Sequence, residues 1–238
     1  MASPAGARHR LETLERVHAA LARLRELGPL AEVLAQAPAE LAESAALDRV
    51  LVTRVESSEL QPVSAWFRGD PGAAAGALDA LRERPLRLEY PLIEAELVRL
   101  RRATIVPDPT EHPRVPQPPP APMDGSAYVA APIVLDGRTI GFVHADRLDP
   151  PVEEADCDAV WTFADGLAYV TERAVLRRRV REQRRRLRHL VAWTDALVAS
   201  CPTARSASTR RARRTASDRR PPARRRTRAS SRNGSRTC

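Results

Sequence analysis

The segment SAYVAAPIVLDGRTIGFVHADR, residues 126–147, decides the fold of this chain. Two apolar runs flank Asp136-Gly137, a pair that readily takes positive φ in the type I′ turn of a β-hairpin. In the first run, alternation directs Val129, Ala131, Ile133 and Leu135 to one face of the strand. It directs Tyr128, Ala130, Pro132 and Val134 to the other face. Because both faces are apolar, this strand belongs in the middle of a covered sheet.

The residues after the turn alternate in the same way. They divide into two sets on opposite faces: Ile140, Phe142 and His144 on one, and Gly141, Val143 and Ala145 on the other. Because the second set is made of small residues, we expect a helix to approach the sheet closely on that face.

The chain before the hairpin predicts several helices and strands. Apolar residues recur at steps of three and four over residues 8–27 and again over 30–46. Gly28-Pro29 separates these two helices, and Pro38 predicts a kink or break in the second. The remaining predictions are strands at 49–56 and 61–68, helices at 73–84 and 91–102, and a short strand at 103–106.

A proline-rich segment, residues 107–122, separates these elements from the hairpin. Its eight prolines prevent regular hydrogen-bonded structure, so it is predicted to be a loop, partly in the polyproline II conformation. We therefore expect no helix or strand between residue 106 and the hairpin.

A long helix is predicted after the hairpin. Asp149-Pro150-Pro151 and the acids that follow predict its start, and it runs over about 152–199 with Gly166 as its weakest interior point. Its second half carries a stripe with alternating steps of four and three, as in a two-stranded coiled coil: Leu176, Val180, Gln183, Leu187, Leu190, Thr194 and Leu197. Two interpretations are open: the stripe pairs two chains, or it packs on its own domain.

The basic residues are concentrated at one end of the chain. All 39 cationic residues are Arg, and 13 of them lie in residues 201–238 beside one acid, Asp218. The preceding 200 residues hold 26 Arg against 29 acids, so the basic excess belongs to the tail alone. The tail has no Val, Ile, Leu, Met, Phe, Tyr or Trp and is predicted to be disordered.

Two interpretations of this tail are open. A basic arm would bind nucleic acid without sequence selectivity, through the arginines Arg210, Arg211, Arg213, Arg214, Arg224, Arg225 and Arg226. Alternatively, the tail is a frameshift product, because a GC-rich gene read in the wrong frame yields this composition. The frameshift is favoured, since an arm that binds single strands is expected to include aromatic residues for stacking.

The order of predicted elements, together with YVAAPIVLDGRTIGFVHADR, resembles the GAF domain, a small-molecule sensory module. The segments LDRVLVTRV and PVSAWF resemble the first strands of a GAF subset in actinobacterial regulators that carry a C-terminal LuxR-type helix-turn-helix. The resemblance covers residues 28–199. It implies an α+β fold with an antiparallel sheet covered by helices, followed by a long C-terminal helix.

The resemblance divides the chain into four expected parts. They are an N-terminal helix at 1–27, a GAF-like sensory domain at 28–175, a connector helix at 176–199 and a disordered tail at 200–238. The chain departs from the family in two respects. The proline-rich segment lies where GAF domains usually place part of the ligand cover, and no helix-turn-helix follows the long helix, so we expect truncation before that module.

Four residues on the predicted sheet are candidates for lining a ligand pocket: Trp66, Tyr128, Phe142 and His144. Core packing is the simpler interpretation of the aromatic side chains. Some GAF domains hold haem through His or a bilin through Cys. Neither His144 nor Cys157 belongs to a ligand cluster in this sequence, and we expect no metal or covalent cofactor.

The sequence contains no arrangement typical of an enzyme. It has no nucleophile–base set, P-loop or GxGxxG, and its hairpin and helix-start acids are explained by local structure. It has no signal peptide and no membrane-spanning run, so we expect a cytoplasmic protein.

We expect a sensory domain of a transcriptional regulator that binds an unidentified small molecule or a partner surface. A homodimer through the C-terminal helix is one of the two open interpretations of its stripe. The alternative function is nonspecific binding of nucleic acid through the tail.

Overall fold

The computed structural model describes residues 4–116 and 127–200. Within these ranges the elements are α1 Pro4–Glu26, α2 Leu30–Ala45, β1 Arg49–Glu56, β2 Glu59–Phe67, α3 Pro71–Glu83, β3 Leu86–Arg87, α4 Ile93–Leu100, β4 Thr104–Val106, β5 Tyr128–Leu135, β6 Arg138–Asp146 and α5 Glu154–Ser200. The predicted α+β class is confirmed. The short strand β3 was not predicted from the sequence.

The sequence predicted a kink or a break at Pro38, and a break is wrong because α2 continues through this residue. Proline lacks an N–H group, so the carbonyl of Leu34, one turn earlier, loses its usual helical donor. That carbonyl instead accepts a hydrogen bond from the Ser64 hydroxyl at 2.5 Å. The bond satisfies the carbonyl and fixes α2 to strand β2.

The six strands form one antiparallel sheet in the order β3-β2-β1-β6-β5-β4. The hairpin around Asp136-Gly137 supplies two neighbouring interior strands, β6 and β5. At its turn Asp136 has φ 49° and Gly137 has φ 73°, as the predicted type I′ turn requires.

The two faces of the sheet are covered by different elements. On the first, Val129, Ala131 and Ile133 of β5 join a large apolar core with residues of α1, α2 and α5. On the second, Tyr128 and Ala130 join a smaller core that includes residues of α4. This confirms the alternation predicted for the first strand of the hairpin. We call these the helical face and the α4 face.

Two β-bulges interrupt the strand ladders. In β6, Gly141 pairs with Ile133 and Thr139 pairs with Val134, which leaves Ile140 as an extra residue. The sequence placed Ile140 on the face of Phe142 and His144, and this is wrong. Because the bulge breaks the alternation, Ile140 packs against the core of the helical face instead.

The second bulge lies in β2. Ser64 pairs with Val52 and Pro62 pairs with Thr53, so that Val63 is the extra residue. Like Ile140, Val63 packs against the core of the helical face.

The chain separates into two compact units, Met1–Arg181 and Glu182–Cys238. The first holds the sheet and every buried residue of α5. The described part of the second is the end of α5, where all side chains are exposed.

Candidate ligand-binding site

A buried polar cluster lies between α4 and the sheet. The Nε2 atom of His144, on β6, lies 2.9 Å from Oε1 of Glu94, in the first turn of α4. The side chains of His144 and Glu94 are 0% and 1% exposed. Their contact is one polar link between α4 and an otherwise apolar surface of the sheet.

Aromatic rings surround the histidine. The Phe142 ring stacks on it with centroids 6.0 Å apart, and the Tyr128 ring lies at 6.1 Å with a tilt of 50°. Both aromatic side chains are fully buried. The imidazole is therefore held in a fixed position, and this limits the directions in which it can bond.

Three polar atoms of this cluster have no hydrogen-bond partner among the described residues. They are Oε2 of Glu94, Nδ1 of His144 and the hydroxyl of Tyr128. A buried polar group without a partner destabilises a protein by about 1–3 kcal/mol. A water molecule or a polar group of a ligand that offers donors and acceptors would relieve this cost.

The Tyr128 hydroxyl stays protonated throughout the physiological range. Burial raises its pKa far above the ordinary value, and the nearby Glu94 carboxylate raises the pKa further. Tyr128 can therefore donate one hydrogen bond to a ligand and accept another.

The structure brings together three of the four candidate pocket residues. Tyr128, Phe142 and His144 share the α4 face, whereas Trp66 packs against the core of the helical face. The Trp66 ring lies under the Arg68 guanidinium at 5.5 Å, a cation–π contact. The candidate nucleic-acid arginines of the tail lie outside the described residues.

Sequence reasoning missed Glu94. It lies 50 positions before His144 in the chain, so nothing local indicates their contact. One signal was present: Glu94 stands between Ile93 and Leu97, the apolar residues that α4 buries. An acid on the buried face of a helix indicates a polar partner inside the protein.

An apolar groove opens on the helical face, away from this cluster. Its volume is about 370 Å³, within the range of small-molecule pockets. Both bulge residues, Val63 and Ile140, line it, together with Leu34 of α2 and Leu176 of α5. Its lining includes arginines and carboxylates in equal number: Arg54, Arg179, Asp136 and Glu172. The groove thus has no net charge that selects a charged ligand.

Arg147, directly after β6, joins three elements. Its guanidinium donates to the carbonyls of Ala45 and Ala46 at the end of α2, at 3.2 and 3.0 Å. It also donates to Asp156 in the first turn of α5, at 3.0 Å. The Asp156 carboxylate in turn accepts the N–H of Glu153 at 2.9 Å. The start of α5 is thereby fixed to the end of the strand that carries His144.

Within residues 4–116 and 127–200, no group of three or more His, Cys, Asp or Glu side chains could hold a metal ion. Among the described helices, none combines the length and apolarity needed to cross a membrane.

The comparisons with known proteins agree with this architecture. The family model of the GAF domain matches residues 29–170, more than half of the chain, and the chain therefore belongs to the GAF family. GAF domains are sensory and signalling modules. No curated protein matches the chain significantly.

Solved structures show the same fold at low sequence identity. The GAF domain of a phosphoenolpyruvate-protein phosphotransferase from Coxiella burnetii has a TM-score of 0.57 at 15% identity, over 70% of this chain and 96% of that one. The free methionine-R-sulfoxide reductase from Neisseria meningitidis, in complex with its substrate, has a TM-score of 0.55 at 17% identity, over 74% of this chain and 95% of that one. A GAF domain/HD domain protein from Geobacter sulfurreducens has a TM-score of 0.53 at 20% identity, over 66% of this chain and 98% of that one.

Proposed function

We propose that this GAF domain senses a small polar molecule that hydrogen-bonds the cluster of Glu94, His144 and Tyr128. The observation that carries the proposal is the set of three buried polar atoms without partners among the described residues. The ligand supplies the missing donors and acceptors, and the apolar rings around His144 exclude water from the bonds it makes.

The cluster also offers a way to change the structure. A ligand that competes for either Glu94 or His144 weakens the polar link between α4 and the sheet. His144 lies three residues before Arg147, which is bonded to Asp156 at the start of α5. We infer that binding shifts the balance between two arrangements of the α5 start, since a ligand acts only through different affinities for two states.

We further propose that the domain regulates transcription, in the manner of the LuxR-type regulators it resembles. The similarity of LDRVLVTRV and PVSAWF to that GAF subset supports this context. Translation of the DNA beyond codon 200 in the other two frames tests it. A leucine-rich helix-turn-helix is the expected product, and early stop codons in both frames would contradict the regulator context.

The ligand proposal is tested by thermal unfolding of the full chain against a panel of metabolites and cyclic nucleotides. A ligand at about 100 times its Kd stabilises the folded state by about 2.7 kcal/mol. We expect this stabilisation to be lost in His144→Phe and in Glu94→Gln. The glutamine keeps the shape of Glu94, so its effect does not depend on a disrupted core.

A matched control separates the cluster from the groove. Val63→Phe fills part of the groove on the helical face and leaves the cluster intact. We expect it to retain the ligand-induced stabilisation. A ligand that loses its effect in Val63→Phe but keeps it in Glu94→Gln would overturn the assignment of the site to the cluster.

A further inference from the structure

The groove on the helical face has no part in the proposed ligand site, which lies on the α4 face. All of its lining residues belong to the first compact unit. Two of them, Val52 and Ile133, are core residues that are 1% and 4% exposed. Val63 and Ile140 are only partly buried, and Leu176 is 48% exposed. An apolar molecule in this space of about 370 Å³ would remove these side chains from water, which is favourable.

The two β-bulges bring apolar side chains into the groove from both sides of β1. In β2, Val63 and its neighbour Ser64 both face α2, because Val63 packs in the core of the helical face and Ser64 bonds the Leu34 carbonyl. In β6, Ile140 is turned to the same face of the sheet. Regular alternation would direct both bulge residues to the α4 face. Bulges that redirect side chains in this way are common beside binding and active sites.

Hydrogen bonds hold the elements that line the groove. The bond from Ser64 to the Leu34 carbonyl fixes α2 to β2. The guanidinium of Arg177 donates to the Arg25 carbonyl at 3.3 Å, and that of Arg181 donates to the Gly28 carbonyl at 3.5 Å. These two bonds connect α5 to the end of α1 and to the turn before α2. Because the groove is already formed, a ligand does not have to order it, and this favours binding.

The charged residues of the lining favour a ligand without net charge. The guanidinium groups of Arg54 and Arg179 are balanced by the carboxylates of Asp136 and Glu172. Arg54 is also paired with Glu56, at 2.6 Å. A charged ligand would give up its hydration here without meeting an excess of opposite charge.

We propose that the groove binds an uncharged, mainly apolar molecule with one hydroxyl group, of the class of the fatty alcohols. The apolar side chains of the lining hold its hydrocarbon part. Thr171 also lines the groove, and its hydroxyl donates to the Ala168 carbonyl at 2.7 Å. The oxygen of Thr171 is left as an acceptor, so it suits a ligand whose hydroxyl donates.

Titration of the full chain with N-phenyl-1-naphthylamine, an uncharged dye that fluoresces in apolar surroundings, tests the site. We expect the dye to bind and 1-decanol to displace it. Decanoate has a chain of the same length and a negative charge, and it is expected to displace the dye at least about tenfold more weakly. A chain that does not bind the dye, dye that decanol does not displace, or equal displacement by decanoate would overturn the proposal.

Two variants locate the bound dye, and a third is their control. Val63→Phe fills part of the groove, and Leu176→Glu adds a charge to it at a half-exposed position that folding tolerates. Each is expected to raise the Kd of the dye at least about tenfold. Leu187→Glu makes the same change at an exposed residue of α5 in the second compact unit, and the Kd should stay within about twofold. Equal effects of the two Leu→Glu variants would show binding to exposed side chains of α5 and overturn the proposal.

Two further measurements distinguish the groove from other sites. Glu94→Gln changes the cluster on the α4 face, and the Kd of the dye should stay within about twofold. A loss of binding in this variant would place the dye at the cluster. In hydrogen exchange, decanol should protect the start of α2 and residues 171–179. Protection elsewhere alone, or a dye Kd that rises with protein concentration because a second copy covers the groove, would overturn the proposal.

Discussion

Gly141 is a residue for which the sequence suggested one role and the structure shows another. Small side chains at this part of β6 predicted a close approach by a helix. The close neighbour is instead the backbone of β1: a Cβ at Gly141 would lie 2.2 Å from the Thr53 carbonyl oxygen and 3.3 Å from the Arg54 Cα. Glycine is required here because two strands meet beside a bulge.

We therefore expect Gly141→Ala to destabilise the protein by about 1–3 kcal/mol, the range for overpacking in a core. Urea unfolding measures the effect. Gly76→Ala is the matched control, because nothing lies within 4 Å of a Cβ at this exposed position in α3. The control is expected to be neutral or stabilising by up to about 1 kcal/mol. Equal losses in both variants would show that the Thr53 contact is not the cause.

Cys157 is expected to react slowly. Burial raises the pKa of its thiol to about 11, with smaller effects from the carboxylates of Asp158, Glu154 and Asp156. At pH 8 only about 0.1% of such a thiol is ionised, against roughly a quarter of an ordinary one. Iodoacetamide should therefore label Cys157 at least about 100-fold more slowly in the folded chain than in denaturant. Peptide mass spectrometry measures this ratio, and similar rates would contradict the shift.

The site residues show how far single positions can be predicted. The sequence singled out Tyr128, Phe142 and His144 because a period of two assigns strand residues to a face. It missed Glu94 because the contact with His144 depends on where α4 lies over the sheet, which no local pattern specifies. Trp66 was grouped with them as a scarce aromatic on the sheet, without information on which face it occupies.

At the scale of elements, the junction at Arg147 decides how α5 is attached. Replacement by Met keeps an unbranched, mostly apolar side chain and removes the hydrogen bonds to Asp156 and to the end of α2. Hydrogen bonds to charged groups contribute about 1.5–3 kcal/mol each. We expect Arg147→Met to destabilise the chain by about 2–4 kcal/mol, as measured by urea unfolding.

Hydrogen exchange shows where in the chain Arg147→Met lowers stability. Amides at the start of α5, close to Asp156, should exchange faster in Arg147→Met than in the wild type. Arg138→Met is the control, because Arg138 is an exposed residue of β6. A uniform increase over the whole chain in place of a local one would mean that Arg147 does not specifically hold α5.

Most elements were predicted because each carries its own signal. The hairpin, β1 and the long helix followed from period-two alternation, turn residues and a helix start. The strand β3 has only two residues, Leu86 and Arg87, too few for any period. The bulge at Ile140 escaped prediction because an extra residue is defined only by comparison with the neighbouring strand.

At the scale of the whole molecule, stability should fall in acid. Burial pushes the pKa of Asp48 upward, but hydrogen bonds from the Leu148 N–H and from Arg68 outweigh it and hold the pKa below its usual value. A lowered pKa in the folded state stabilises the protein above the pKa of the unfolded chain. That stabilisation is lost as the pH falls through the lowered value.

Asp48→Asn is accordingly expected to be less stable than the wild type at neutral pH, with a difference that shrinks below about pH 4. Urea unfolding from about pH 7 to about pH 3 follows this difference. A difference that stays constant across the range would show that the charge of Asp48 contributes nothing to acid stability.

The two bulges also determine where the chain can be shortened. Val63 and Ile140 have no partner residue in these ladders, whereas the residues on either side of each are paired with the neighbouring strand. Deleting either one closes the ladder and keeps each neighbour on its present face. Deleting Phe142 instead would turn Gly141 and the residues before it to the wrong face of the sheet. Single-residue deletion scanning should therefore find folded proteins at positions 63 and 140 and unfolded ones at 142.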